Sequence, residues 1–246
     1  MGLFDFLGKK SATEKGGKSD REMARYERLV SSKMTQNLDR REAIDELSRL
    51  GTARAARILL KRFGWSMEPS ITDQEEKEAA LAGIAAAGGD AIDPIREYCK
   101  KAESLTWPLK VLEEIVPEGE VVEELLAVLD QFDTEYTRNS EPKVQLIALL
   151  EKYPTEDVRI AVEPFLGDVN ESVRFTAVDT IFAIDDEASA EALMAALEDE
   201  ESLRIKNRIC RLMAERKWKV PAEQREATSR ALPPGFSLSG DVIREG

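Results

Sequence analysis

Between residues 166 and 206 the apolar positions recur at the spacing of a helix rather than of a strand. Val173, Ala177, Ile181 and Ile184 fall on one face, and Phe175, Val178 and Phe182 on a second. A helix with two apolar faces has to bury both, so this one is expected to lie between neighbouring helices. The next segment repeats the habit, with Ala190, Leu193, Met194 and Leu197 at i, i+3, i+4 and i+7. The opening phrase then returns: Asp168 and Val173-Arg174 are answered by Asp199 and Leu203-Arg204. Helical hairpins recurring at a fixed interval predict an array of stacked repeats.

The rest of the chain reads the same way. Asp20 is expected to cap a first helix with Met23, Tyr26, Leu29, Val30 and Met34 inward, and Asp39 a second with Ala43, Ile44, Leu47 and Leu50 inward, stopped by Gly51. Thr52 caps a third, in which Ala55, Ile58, Leu59 and Phe63 pack. A fourth starts at Thr72 or Asp73 and ends at Gly88-Gly89. Further helices are expected over 90–99, 105–116 and 120–132, then 141–153, then 155–165 with Val158, Ile160, Ala161 and Phe165 packing. The last long helix, 201–217, is expected to bury Leu203, Ile205, Ile209, Leu212 and Met213. Leu109, Val144, Val173 and Leu203 read as equivalent positions, spaced 35, 29 and 30 residues apart. After Val220 the pattern breaks into a short helix and a small hairpin around Ser239-Gly240, suited to covering the apolar end of a stack.

The run Asp168-Val-Asn-Glu-Ser-Val173-Arg174-Phe-Thr-Ala177, followed by Leu193, Ala196-Leu197, Asp199 and Leu203-Arg204, resembles the HEAT and HEAT-like repeat family, whose marks are an Asp in the turn, a Val-Arg pair opening the first helix and an Ala after it. The match is good over 155–215 and degenerate over 39–150, where Lys143-Val144 and Leu109-Lys110 keep part of it. The resemblance implies an all-α fold, a right-handed α-solenoid of five to six HEAT-like hairpins over 20–219; composition adds a disordered, basic N-terminal tail with an apolar peptide at its start over 1–19, and the break in pattern a short capping tail over 220–246. The resemblance also implies a scaffold or adaptor whose second helices line a concave surface. It does not by itself fix function.

Composition narrows the chemistry. The 246 residues contain no histidine. That removes Ser-His-Asp and Cys-His catalysis and histidine-ligated metals, including the iron site of the HEAT-like deoxyhypusine hydroxylases. Cys99 and Cys210 sit far apart inside helical patterns and read as reduced, semi-buried thiols. No apolar run approaches the roughly 20 residues that span a bilayer. The first residues are apolar and the lysines follow, the reverse of a secretory signal. A cytoplasmic bacterial protein with no catalytic residues, no cofactor and no metal is the expectation. Carboxylate pairs such as Glu113-Glu114 and Asp185-Asp186 read as solvated faces.

Charge is unevenly placed. Residues 1–65 carry 15 basic and 9 acidic side chains, a net +6; residues 66–200 carry 10 and 33, a net −23; residues 201–246 carry 10 and 6, a net +4. Such an acidic middle opposes phosphate, and hence the HEAT-like DNA glycosylase reading and nucleic acid in general. If the second helices line the inner face, Glu120, Glu123, Glu124, Glu156, Asp157, Glu187 and Glu191 make it acidic and suited to a protein with a basic segment. Arg54, Arg57, Lys61 and Arg62 form a basic rim. Trp65 beside them either folds back as a lid with Met67 or marks a contact surface. Leu3, Phe4, Phe6 and Leu7, followed by Lys9 and Lys10, serve as a plain tail, a docking peptide or a weak membrane contact. The favoured reading is a protein-binding adaptor. The alternatives are a scaffold tethered to a membrane surface through residues 1–10, and a non-catalytic or lyase-like subunit, since the phycobilin lyase subunits share such repeats.

Overall fold

The computed structural model describes residues 18–246, so the apolar peptide and most of the tail expected over 1–19 lie outside the described residues. The described chain is mostly helical, with thirteen α-helices and one two-stranded sheet, and divides into two compact units, one ending at Ala87 and the other spanning Gly88–Gly246. Among the described residues no helix is long and apolar enough to cross a membrane.

The first unit is built from α1 (Asp20–Ser31), α2 (Asn37–Leu50), α3 (Ala53–Leu59) and α4 (Ser70–Ala85). Its first cap is Ser19 rather than Asp20. The Ser19 hydroxyl accepts from the Glu22 amide at 3.3 Å, and the Glu22 carboxylate accepts from the Ser19 amide at 2.9 Å, a reciprocal box that satisfies two orphan donors. α1 ends at Ser31, so Met34 is not an inward residue and is 86% exposed. α2 starts two residues before Asp39 and stops at Gly51, whose φ of +54° is a left-handed helix end that favours glycine. The Thr52 hydroxyl accepts from the Ala55 amide at 3.3 Å and starts α3, where Ala55, Ile58 and Leu59 are buried. α4 begins before the expected Thr72. It runs beside α2 in the same direction: Arg40 meets Glu76 near one end, and Ser48 meets Gly83 near the other. A Cβ on Gly83 would stand 2.1 Å from Ser48 Oγ and 2.9 Å from Leu59 Cδ1, so only glycine lets the two helices approach.

The second unit comprises α5 (Ile92–Cys99), α6 (Thr106–Ile115), α7 (Val121–Leu129), α8 (Glu141–Leu150), α9 (Glu156–Val162) with a 3-10 turn over Glu163–Gly167, α10 (Glu171–Ile184), α11 (Ala190–Asp199), α12 (Leu203–Arg216) and α13 (Arg225–Ala231). α10 packs against both α8 and α12; α7 packs on α9, the turn after α9 on α11, and α11 on α13. The two-faced pattern of α10 is met in its middle, with Val173, Ala177, Val178, Ile181 and Phe182 all buried, but Phe175, expected on the second face, and Ile184, expected on the first, are only half-buried, Phe175 lying 3.6 Å under the Arg204 guanidinium; the four stripe residues of α11 are buried. The Phe182 ring stacks on Trp218, centres 5.1 Å apart. The expected hairpin is present as β1 (Phe236–Ser239) and β2 (Val242–Glu245), and β2 lies on α12. The Val220 amide donates to Asp241 O at 2.7 Å and ties it down. Both cysteines are free and buried.

Two register expectations fail here. Leu203 is 61% exposed, and the position matching Val173 is Ile205, each being the third residue of its helix. The reason lies in the turns. Asp168 accepts from the Asn170 amide at 2.7 Å, and its counterpart is Glu200, which accepts from the Ser202 amide at 2.7 Å, not Asp199. The longer glutamate makes the same bond one residue later. Ile160, expected to pack, is 53% exposed.

Candidate functional site

The turns of the second unit are pinned by ion pairs running from one hairpin to the next. Lys143 Nζ donates to Asp168 Oδ2 at 2.6 Å, with both side chains buried, and to Glu135 O at 3.0 Å. Arg174 grips Glu200 with two prongs, at 2.8 Å each. Burial pushes the Glu200 carboxyl up, but the bonds from Arg174 and the Ser202 amide outweigh it and hold the group below the usual range. Arg159 bonds Glu163 at 2.7 Å and sits 3.0 Å from Asp186. With the turns held, α7, α9 and α11 show their outer sides to solvent.

Two open clefts flank α9 on that side. One, of about 590 Å³, lies between the turn after α9 and α11; Leu166, Val169, Ala192, Ala195 and Ala196 give it apolar walls. The other, of about 700 Å³, lies between α7 and α9 and is walled by Leu126, Ala127, Ala161, Pro164 and Phe165. Ala161 lines one cleft and Glu163 the other, so the exposed Ile160, three residues from Glu163 along the helix, stands on the ridge between them. The first cleft is also lined by Arg174 and by Glu163, Asp168 and Glu200, all held in the ion pairs above; four further carboxylates stand at the clefts, Asp199 and Glu201 at the first and Asp130 and Asp133 at the second. All four are exposed and make no ion pair among the described residues.

The acidic residues singled out in the sequence gather at the starts of the same three helices. Glu120 and Glu123 open α7, Glu156 and Asp157 open α9, and Glu187 and Glu191 stand at the start of α11; all are exposed. A helix start favours negative charge in any case, which gives several of them a structural reason. Glu124 is committed to Arg96 at 2.6 Å, and Glu187 accepts from the Lys219 amide at 2.7 Å. Glu191 shares the outer face of α11 with Ala195, four residues on. Sequence reasoning missed the apolar floor and Ile160. The signal was present: alanines at 192, 195 and 196 lie off the buried Leu193–Leu197 stripe, and an isoleucine stands on a polar face.

The basic rim is divided. Arg54, Arg57 and Lys61 line one groove of about 370 Å³ between α1 and α3, where Arg54 pairs with Asp20 at 2.5 Å and Lys61 pairs with Glu27. Arg62 turns away and is fully buried, bonded to Glu76 at 2.8 Å and to Asp73 at 2.7 Å. From Leu60 to Gly64 the helix tightens into a 3-10 turn, which advances each residue by about 120° instead of about 100° and swings Arg62 off the exposed face. Trp65 covers this buried group, its ring 3.8 Å from the Arg62 guanidinium and 5.0 Å from that of Arg40. Met67 lies under the same cluster, its sulfur 3.0 Å from Arg40 Nη2.

Burial pushes the Cys99 and Cys210 thiols up to about 12, which keeps them protonated and poorly nucleophilic at neutral pH. Among the described residues no group of three His, Cys, Asp or Glu side chains converges as a metal site. Compared with family models, with curated proteins and with solved structures, the chain matches none.

Proposed function

We propose that the chain is a non-enzymatic protein-binding scaffold whose second unit is a HEAT-like stack of helical hairpins. Its working surface is the outer side of α7, α9 and α11, and its partner is a protein segment carrying both basic and apolar side chains. The observation that carries this is the pair of apolar-walled clefts on either side of Ile160, where Asp199, Glu201, Asp130 and Asp133 stand exposed and in no ion pair among the described residues, while Arg174 in the first cleft is taken up by Glu200. An open apolar surface of this kind is where a partner gains burial, and the surrounding negative charge speeds encounter and selects against acidic partners. The stacking of α8, α10 and α12 behind it supplies the rigid backing that such a surface needs.

Panning a displayed library of random peptides on the full chain tests this. The enriched sequences are expected to pair Lys or Arg with Leu, Ile or Phe. Their binding should weaken about tenfold between low and physiological salt, and should be lost when Asp157→Lys and Glu191→Lys are combined. Enrichment of acidic or wholly polar sequences, or binding indifferent to the charge reversal, would overturn the proposal.

A further inference from the structure

The α1–α3 groove of the first unit and the α9 ridge of the second are opposites in form and in charge. The groove, of about 370 Å³, has Met23 and Ile58 buried at its base and Arg54, Arg57 and Lys61 exposed along its α3 side; the single carboxylate of its lining is Glu27. Arg54 and Lys61 have surface partners in Asp20 and Glu27. Pairs that exposed contribute little and give way to better ones. With those partners counted the walls are still basic: residues 18–31 and 53–61 hold seven cations and three carboxylates. On the ridge, Glu156, Asp157 and Ile160 are all exposed, the isoleucine one turn on from the two carboxylates. Glu156 is 3.5 Å from Arg159, and Asp157 makes no ion pair among the described residues. The clefts on either side leave α9 standing proud. Residues 120–133, 156–163 and 187–201, which form this surface, hold fourteen carboxylates and one cation, Arg159.

We infer that the groove and the ridge meet between two copies of the chain, α9 of one copy lying along the α1–α3 groove of another. Spacing agrees as well as charge. Packed neighbouring helices lie about 8–10 Å apart, and α1 packs on α3 as α7 packs on α9. When α9 fills the groove, α1 and α3 therefore enter the two clefts beside it. Ile160 then covers the apolar base at Met23 and Ile58, and Asp157 faces the cations of α3. The rim carboxylates Asp130, Asp133, Asp199 and Glu201, in no ion pair among the described residues, gain the cations of the entering helices. Each copy offers one groove and one ridge, so the contact is heterologous. It uses the same outer surface as the proposed function but does not require an outside segment, and a copy so engaged is closed to that segment until the segment competes.

Sedimentation velocity of the full chain over a wide concentration range tests this. The wild type is expected to self-associate, about tenfold more weakly at physiological than at low salt. Two charge reversals should each abolish the association: Arg57→Glu/Lys61→Glu in the groove, and Asp157→Lys/Asp199→Lys on and beside the ridge. All four positions are exposed, so the fold should tolerate the changes, and unaltered helical circular dichroism checks that it does. Mixed in equal amounts, the two monomeric variants should associate again, because the reversed groove of one matches the reversed ridge of the other and their unaltered surfaces still match. Ile160→Ser should weaken wild-type association about tenfold. A wild type that stays monomeric at low salt and high concentration, folded variants that associate as the wild type does, or a mixture that stays monomeric each overturn the inference. Capture of basic, apolar peptides by a chain that is monomeric throughout would overturn the second copy as occupant and leave the proposed function standing.

Discussion

The two units solve the same problem, buried charge among small helices, in opposite ways. In the first, the charges converge. Arg40 and Arg62, both fully buried, share the single carboxylate of Glu76; Asp73 serves Arg62 and Lys77, and Trp65 lies over both guanidinium groups. In the second, the charges are dealt out one pair per turn, Lys143 to Asp168 and Arg174 to Glu200. A convergent cluster fixes one unique core and fails as a whole. A ladder fixes a register step by step and fails locally.

Several substitutions would break that contrast. Glu76→Ala should have the largest effect, since it takes the shared carboxylate from two buried guanidinium groups at once: a loss of about 4–5 kcal/mol, read by urea unfolding followed through amide exchange in α2 and α4. Asp168→Asn, which removes the charge partner of one buried ammonium, Lys143, and leaves it the Glu135 carbonyl, should cost about 3 kcal/mol. If the two losses prove equal, the cluster is not focal. Gly83→Ala should cost about 2 kcal/mol by forcing α2 from α4, and leave the thermal behaviour of the second unit unchanged. Glu200→Gln should cost about 1–2 kcal/mol near neutral pH because Arg174 keeps contact with solvent. Asp157→Lys should change stability by less than about 0.5 kcal/mol while weakening capture of basic, apolar peptides.

The pH dependence sharpens the same comparison. A carboxylate held below its ordinary value contributes stability that is whole above that value and vanishes as pH falls through the depressed one. For Glu200 the ordinary value is 4.5, so the gap between wild type and Glu200→Gln should be full at neutral pH and close as the pH falls below 4.5. Asp73 obeys the same sign: burial raises it, but the bonds from Lys77 and Arg62 outweigh that and leave it depressed. Acid should therefore loosen both units, and a gap that widened on acidification would contradict the pairing.

Much of this architecture is legible in the sequence because helix period and capping are local. The stripe of α11 and the middle of both faces of α10 can be read from spacing alone, and Thr52 and Gly51 announce the start of α3 and the end of α2. What escapes is whatever depends on a partner distant in the chain. Nothing local tells Arg62 from Lys61, since a tightened turn and the carboxylate of Glu76 fourteen residues on decide which is buried. Nothing local makes Glu200 rather than Asp199 the turn residue, since a side-chain bond to Ser202 decides it. The candidate site was half visible for the same reason. Its carboxylates stand out as charge, but its floor is made of alanines, which look like any helix filler until two helices leave them uncovered.

Cys99 and Cys210 both belong to the second unit, and the first contains no thiol. Sealed and protonated, they make a natural stopwatch: an alkylating pulse marks only molecules in which that half has come open, and says nothing while the other half melts. An added cysteine placed anywhere on the surface can meanwhile carry a dye or a spin label, with no need to remove the native pair.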